Sequence, residues 1–496
     1  MLQTPSAMSA ETNSPSPTGG VARNLAYLLG ARSFYLVSKT AYTIVIARLL
    51  GPALYGILNY AISWSVAFLP AASLGLWAVM SREAGLDRAR GIKTAGHAFT
   101  LRIFSSIAAA IASAILAAAV ETDTSVRTTL LIISFALIGR AQAQYCENVF
   151  NAFENSATVL RQESVFRTLE LLLGAAAALA GRSVECVAAA YAVVWWLQAA
   201  WGFWRVRVDL PTLHPGWDGA ELRRLLRQGI PLGVSSGLIL LLGTAPVLLF
   251  RHVGTREELG QLAILSQVFS IASLVPTQLA IAALPTLARA MAGRGAGAWD
   301  SVSSGLRASL AVVLLGATAT CAVGPLLVKG LVGAAYDEGG RALGPFLFVL
   351  LPRSWGTLLW NALLAQGRLW AGTASALLGT LVLCGTLLAT QGQPTLDSVI
   401  VSMNAGQWTW VAALLIALHP PRASFSYRRT LWVPLLFLTL AWGVMKILSF
   451  LGPMLAGTAA FLFVVWGTLW GPLLFKAERQ IFWSYIQRHT RSLRTR

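Results

Sequence analysis

The chain has 496 residues, of which 56% are hydrophobic and only 12% are charged, about half the charged fraction of roughly 25% found in soluble proteins. Together with a mean hydropathy of +0.64, this excludes a set of soluble domains, a disordered chain, a collagen and a disulfide-stabilised scaffold. The formal net charge of +18 would suggest nucleic-acid binding in a soluble protein. In a membrane protein it reflects basic loops, so we expect no nucleic-acid partner.

A membrane-spanning helix needs roughly 20 apolar residues, and fourteen stretches of that length lie between residues 24 and 475. An even number of spans places both ends of the chain on one side of the membrane. Most basic loop residues fall on the side of the N-terminus. The other side carries six, namely Arg127, Arg182, Arg251, Arg256, Lys329 and Arg341. The positive-inside rule therefore predicts that both termini are cytoplasmic.

The longest loop divides the chain after six spans, and the two halves begin alike. The run Arg48–Gly51 precedes Gly56 in the first half, and the run Arg251–Gly254 precedes Gly260 in the second. A proline interrupts the second span of each half. Repeated halves are typical of transporters that bind their substrate at the interface between the repeats.

These features predict an all-α polytopic membrane protein of about 14 transmembrane helices, with two six-helix lobes and a C-terminal helix pair. The Ser/Thr/Pro-rich N-terminus lacks the basic and apolar regions of a signal peptide and predicts disorder. The predicted parts are a disordered cytoplasmic extension (1–22), an N-lobe (23–207), a cytoplasmic amphipathic linker (208–229), a C-lobe (230–420), two additional spans (421–475) and a basic cytoplasmic tail (476–496).

Eight basic residues lie inside the predicted spans: Arg32, Lys39, Arg48, Arg102, Arg140, Arg167, Arg353 and Lys446. A charge at mid-bilayer costs at least roughly 2.5–3.5 kcal/mol, so such a residue usually faces water or a partner. Arg48, Arg102 and Lys446 lie near span ends, where snorkelling to the interface explains them. Arg32 and Lys39 lie two turns apart and share one face of the first span.

Span four carries a polar stripe within roughly 120° of its circumference. The stripe comprises Arg140, Gln144, Glu147, Asn148, Asn151 and Glu154. Such a stripe cannot face lipid, so it either lines a cavity or is hydrogen-bonded to a neighbouring helix. We favour the cavity.

Span five carries Glu163, Arg167 and Glu170 on one face. A salt-bridge ladder within the helix and a functional site explain this spacing equally well. Arg353, which follows Pro352 in span ten, is the only deep cation predicted in the second half.

We therefore predict a cationic, partly acid-compensated pocket that lies mainly in the first lobe. Arginine and lysine suit phosphate groups. The candidate substrate-binding residues are Arg32, Lys39, Arg140, Arg353, Gln144, Asn148 and Asn151. The carboxylates Glu147, Glu154, Glu163 and Glu170 are candidates for coupling transport to a proton or sodium gradient, Glu147 first. Nucleotide-binding and zinc-protease motifs are absent from the sequence, so we expect no enzyme activity, no metal and no cofactor.

Several segments resemble those of a known family in their order of residues as well as in their composition. They are Asn24–Leu29, Ala47–Gly56, Gly75 with Arg82-Glu83, Phe150–Glu154, Glu163–Glu170 and Leu284-Pro285. These segments resemble the polysaccharide biosynthesis flippases, which are O-antigen and exopolysaccharide repeat-unit transporters of the multidrug/oligosaccharidyl-lipid/polysaccharide (MOP) exporter superfamily. The second half departs from that pattern, because Gln261-Leu262-Ala263 follows Gly260 where relatives commonly have an aromatic residue.

The resemblance implies two six-helix lobes that form a V around a central cavity and alternate between inward-open and outward-open states. It implies a polyprenyl-pyrophosphate-linked glycan as cargo, flipped from the cytoplasmic to the outer leaflet of a bacterial inner membrane. The further spans resemble those of the lipid II flippases, where the extra pair helps to house the lipid tail. Membrane lipids and a polysaccharide polymerase or glycosyltransferase complex are the implied partners.

Three other functions stay open at the level of sequence. One is a cation-coupled multidrug exporter of the same superfamily, although an acidic pocket would suit cationic drugs better than the basic one predicted. Another is a membrane glycosyltransferase or polymerase, which would need a large outer loop or an acidic catalytic loop. The third is a scaffold that assembles a polysaccharide complex without transporting anything.

Overall fold

A computed structural model describes residues 17–181, 183–292, 297–390, 395–419 and 453–469, with positions 436, 439–440 and 443. Within these residues every regular element is helical, which confirms the predicted all-α fold. Nine of the described helices are long and apolar enough to cross a membrane. The chain is therefore a multi-pass membrane protein. Lys446, nearly all of the predicted thirteenth span and the basic tail lie outside the described residues.

Two groups of helices pack mainly within themselves, followed by one C-terminal helix. The N-lobe contains α1 (Pro17–Ser73), α2 (Leu76–Leu86), α3 (Arg88–Val120), α4 (Thr124–Ala152), α5 (Ser156–Gly181) and α6 (Val184–Asp209). The C-lobe contains α7 (Gly219–Val253), α8 (Arg256–Ala292), α9 (Gly297–Leu331), α10 (Asp337–Leu347), α11 (Leu350–Ala365), α12 (Leu369–Ala389) and α13 (Leu396–Leu418). The last described helix, α14 (Pro453–Leu469), packs against α9.

The helix α1 contains the first predicted span and most of the second. Gly51 interrupts it with a φ of 73°, a left-handed conformation that glycine adopts without strain. The interruption separates α1a (17–50) from α1b (52–73). A second break at Leu74 and Gly75, with φ values of 52° and 62°, separates α1b from α2. The second span therefore consists of α1b and the first turn of α2.

The glycines aligned by the internal repeat are in direct contact across the two lobes. A Cβ atom on Gly56 would lie 2.7 Å from the backbone nitrogen of Gly260. A Cβ atom on Gly260 would lie 2.1 Å from the carbonyl oxygen of Pro52. Only glycine allows two helix backbones to approach so closely, so this pair fixes how α1b and α8 cross.

Two predicted boundaries are wrong. The amphipathic segment at the end of the predicted linker is not separate from span seven, because α7 begins at Gly219 and continues through Pro231 into the membrane. Asp218 starts this helix by accepting a hydrogen bond from the amide of Ala220 (3.0 Å). At the N-terminus, residues 17–22 of the predicted disordered extension are the first turns of α1, whereas residues 1–16 lie outside the described residues.

Enlarging Gly260 should destabilise the contact between the lobes. We expect Gly260→Ala to lower the free energy of unfolding by about 1–3 kcal/mol, because the new methyl group meets backbone atoms that cannot move aside. Thermal unfolding in detergent would measure the change. Gly316→Ala is the matched control, because a Cβ atom there meets nothing within 4 Å. Equal melting temperatures for the two variants would contradict the close contact.

Candidate functional site

A cavity of about 300 Å³ lies between the two lobes. Helices α1, α4, α5 and α6 form its wall on the N-lobe side, and α7, α8 and α11 form the C-lobe side. The charged residues in its lining are Lys39, Arg140, Arg167, Glu170 and Arg353. Three of the predicted substrate-binding residues, Lys39, Arg140 and Arg353, thus meet in one cavity, which we call the central cavity.

Two arginines of the N-lobe share one indole ring. The guanidinium of Arg140 lies 5.3 Å from the ring centroid of Trp195, and that of Arg167 lies 4.4 Å from it. Arg140 also donates to the hydroxyl of Tyr191 (3.2 Å). Tyr191 and Trp195 are one turn apart on α6, so a single helix face supplies both contacts. The π face of the indole stabilises positive charge that burial would otherwise disfavour.

The salt-bridge ladder on α5 is present, as one of the two interpretations of the sequence predicted. Arg167 Nε lies 3.4 Å from a carboxylate oxygen of Glu163, and its terminal nitrogens donate to Glu170 and to Gln198 of α6. All three charged side chains of the ladder are buried. Because Arg167 and Glu170 also line the cavity, the ladder is part of the wall and compensates one of its cations.

The other three cations of the central cavity are not compensated by acids. The ammonium of Lys39 lies 5.0 Å from the ring centroid of Tyr42. Arg353 donates to the carbonyl oxygen of Ile239 (3.0 Å). In the part of the chain that the structure describes, neither these two residues nor Arg140 has a carboxylate within ion-pair distance. The cavity therefore has an excess of positive charge.

Several donors in this lining also lack an acceptor. Among the described residues, the Nε atoms of Arg140 and Arg353 and the amide nitrogen of Asn59 are buried without a hydrogen-bond partner. Buried donors are almost always paired with protein, water or ligand. Donors on α1b, α4 and α11 thus surround a space suited to a ligand with many acceptor atoms.

The remaining predicted substrate-binding residues lie elsewhere. Arg32 is 46% exposed and pairs with Glu147 (3.3 Å). Gln144 lines a second, smaller cavity. Asn148 and Asn151 are half-buried and line neither cavity.

Two placements differ from the sequence-based expectation. Glu154 is not part of the polar stripe, because α4 ends at Ala152 and Glu154 lies exposed in the following turn with a φ of 59°. Arg102 does not snorkel: it is 1% exposed and lies between α3 and α4, where Gln142 donates to its carbonyl oxygen (3.2 Å). Arg48 is exposed at the end of α1a and donates to the carbonyl oxygen of Gly330.

One ion-pair cluster joins the lobes on the side of the α2–α3 turn. Glu83 of α2, whose side chain is 2% exposed, contacts Arg90 (2.7 Å) and, across the lobe boundary, Arg224 of α7 (3.2 Å). Arg82 pairs with Glu83 (3.0 Å) and donates to Gln228 of α7 (3.2 Å). Burial opposes ionisation of Glu83, but the hydrogen bonds from Arg82 and Arg224 outweigh it and lower the pKa of its carboxyl below the usual value.

A second cluster joins the lobes on the opposite side. Glu121 accepts hydrogen bonds from Tyr60 (2.9 Å) and from Arg251 of α7 (3.2 Å). Asp123 accepts from Arg256 of α8. Contacts between the lobes are therefore present on both sides of the central cavity.

Comparison with known proteins identifies the fold. No family model and no curated protein matches the sequence. Among solved structures, "Lipid II flippase MurJ, inward closed conformation" matches with a TM-score of 0.62 and 12% identity, over 90% of this chain and 98% of that chain. A ligand complex of the MATE multidrug transporter DinF-BH matches with a TM-score of 0.59 and 16% identity, over 83% of this chain and 97% of that chain.

A third match is the inward-facing conformation of a multidrug resistance MATE family transporter of the MOP superfamily, with a TM-score of 0.57 and 11% identity over 80% of this chain and 94% of that chain. This chain has their fold. All three of these matching proteins are described as transporters or flippases.

The cluster around Glu83 should weaken in acid. A carboxylate with a lowered pKa stabilises the folded state above its unfolded pKa of about 4.3, and the effect is lost as the pH falls through the folded value. We expect wild type to have a higher melting temperature than Glu83→Gln at pH 7, with the difference shrinking below about pH 4.3. Glu338→Gln, at an exposed position, is the control. A difference that does not vary with pH would contradict the ion-pair assignment.

Proposed function

We propose that this protein flips a polyprenyl-pyrophosphate-linked oligosaccharide from the cytoplasmic to the outer leaflet of a bacterial inner membrane by alternating access. The observation that carries the proposal is a trio of cations in the central cavity that have no carboxylate partner among the described residues: Lys39, Arg140 and Arg353. A pyrophosphate supplies the missing negative charge and many acceptor oxygens.

The positions of these cations suit a ligand that bridges the lobes. Lys39 and Arg140 lie on the N-lobe, whereas Arg353 lies on α11 of the C-lobe. Guanidinium groups bind phosphate oxygens in a bidentate way, and lysine acts as a point charge. A pyrophosphate between them draws the lobes together.

For ion coupling, Glu147 stays our first candidate. It forms an ion pair with the half-exposed Arg32. A proton or sodium ion that binds the Glu147 carboxylate therefore competes with one accessible guanidinium among the described residues. Glu163 and Glu170 share the buried Arg167, and titrating either one would disturb the cavity wall. Glu154 lies in an exposed turn and lines neither the central cavity nor the second cavity.

A multidrug exporter is the second candidate function. Tyr35, Tyr55 and Phe269 make part of the cavity wall aromatic, and such a wall suits flat amphiphilic drugs. Glu170 is an acid in the same lining. The multidrug transporter DinF-BH, whose matching structure is a ligand complex, shares the fold. We place the flippase first because the cations of the lining outnumber this carboxylate, which is already paired with Arg167.

Removing Arg140 should slow transport of the anionic cargo. We expect Arg140→Ala to reduce flipping roughly 10- to 100-fold, since a hydrogen bond to a charged group contributes about 1.5–3 kcal/mol. The assay uses purified protein in liposomes with an imposed ion gradient and a fluorescent polyprenyl-pyrophosphate oligosaccharide on one leaflet. Arg161→Ala, an exposed arginine of the same lobe outside the cavity, should transport normally.

The outcomes separate the two candidates. Equal transfer by wild type and Arg140→Ala keeps the flippase but removes Arg140 from the site. If wild type moves no lipid-linked glycan but exports a cationic dye, the exporter replaces the flippase.

A further inference from the structure

We propose that the hydrocarbon chain of the cargo leaves the central cavity through the second cavity, between α1b and α2 on one side and α7 on the other. The second cavity would thus bind the part of an isoprenoid-type chain nearest the headgroup. This inference rests on the proposed function, because it assigns a place to the apolar part of the same cargo.

The second cavity, which we call the side cavity, has a volume of about 220 Å³. Its lining includes the apolar Leu69, Pro70, Trp77 and Leu240, the polar Ser73, Gln144 and Ser236, and no charged side chain among the described residues. It is therefore uncharged and mainly apolar, whereas the central cavity is cationic. An amphiphile with a charged head and an apolar chain needs both environments side by side.

The two cavities adjoin one another at two points. Leu240 of α7 lines both of them. On α4, Arg140 lines the central cavity and Gln144 the side cavity, one helical turn or about 5.4 Å further along the axis. A pyrophosphate held by Arg140 therefore has its first chain carbons within reach of the side cavity.

The surroundings of the side cavity are those of a surface that meets lipid. Trp77 is 56% exposed, and on α7 Ile230 and Val234 are each 45% exposed. Tryptophan is enriched where a protein meets the boundary between membrane and water. The exposed apolar side chains next to the cavity are suited to a chain that extends from it into the bilayer.

The seam beside the cavity is a close backbone contact. Gly75 follows a left-handed Leu74 at the break between α1b and α2. A Cβ atom on Gly75 would lie 2.7 Å from the backbone nitrogen of Gly233, and one on Gly229 would lie 2.4 Å from the carbonyl oxygen of Leu74. Further along the same seam Glu83 of α2 pairs with Arg224 of α7, so opening the seam breaks both the backbone contact and this ion pair.

The position differs from the one implied by the resemblance, in which the C-terminal helix pair houses the lipid tail. In this structure α14 packs against α9, where Gly457 approaches the backbone of Ala322. Neither helix contributes to the side cavity. The two locations can therefore be distinguished by where a bound chain touches the protein.

Filling the side cavity should separate chain binding from headgroup binding. In the reconstituted full chain, Ser236→Trp places an indole in the side cavity lining. We expect it to slow flipping of the long-chain substrate at least tenfold, while binding of a chainless, water-soluble pyrophosphate oligosaccharide is unchanged. Thr168→Trp, at an exposed position of α5 that lines neither cavity, should change neither. Undiminished flipping by Ser236→Trp would overturn the proposal and leave the proposed function intact.

A second measurement on wild type does not depend on a variant that folds. A polyprenyl-pyrophosphate probe carries a photoreactive diazirine in the isoprene unit nearest the headgroup, and its crosslinks are mapped by mass spectrometry. Crosslinks within 69–77 or 233–240 support the side cavity, whereas crosslinks confined to α9 and α14 overturn it. If wild type neither flips the probe nor binds the chainless ligand, the proposed function itself fails, and the inference fails with it.

Discussion

The structure depends on how positive charge is kept inside a membrane protein. An uncompensated arginine is costly in an apolar environment, and the three arginines that line the central cavity are each stabilised differently. Arg167 is held between two carboxylates, Arg140 lies over the indole of Trp195, and Arg353 donates to a helix carbonyl. Only Arg167 is neutralised by acids of the described part of the protein. The others keep their charge available to the central cavity, and this is the basis of the polyanionic cargo proposed above.

The internal repeat gives this charged cavity its location. Gly56 and Gly260, aligned by sequence, pack backbone to backbone where α1b crosses α8, and Ser63 and Ser266 further along the same helices both line the central cavity. The halves are not identical, however. After Pro70 the second span breaks at Leu74 and Gly75, whereas α8 is helical across the matching Pro276. The side cavity lies beside this break, between α1b and α2 of the first half and α7 of the second.

Hydropathy and intramembrane charge are local signals, so the sequence predicted the helices well and singled out three cations, Lys39, Arg140 and Arg353, that line one cavity in the structure. Prediction from sequence failed where neighbouring helices decide the outcome. Arg102 was expected to reach the interface, yet α3 and α4 bury it. Glu154 continued the period of the polar stripe, but the helix ended two residues earlier. The sequence analysis did not identify Tyr191 and Trp195, although their spacing of four places them on one helix face. Aromatic residues in an apolar span usually belong to the packed core. Their role became visible only when the structure placed Arg140 and Arg167 beside them.

Under the proposed function, the cations of the central cavity would also make transport sensitive to voltage. A unit charge that crosses the whole membrane field changes in energy by about 2.3 kcal/mol per 100 mV, and a charge that moves part of the way changes by that fraction. In the proposed alternating-access cycle, rocking of the lobes shifts Lys39, Arg140 and Arg353 relative to the field. An empty cavity would then carry net charge through the conformational change, whereas one filled by the proposed pyrophosphate would carry little. In that cycle the membrane potential acts mainly on the return step, and an inside-negative potential favours the return of the unloaded protein to the inward-open state.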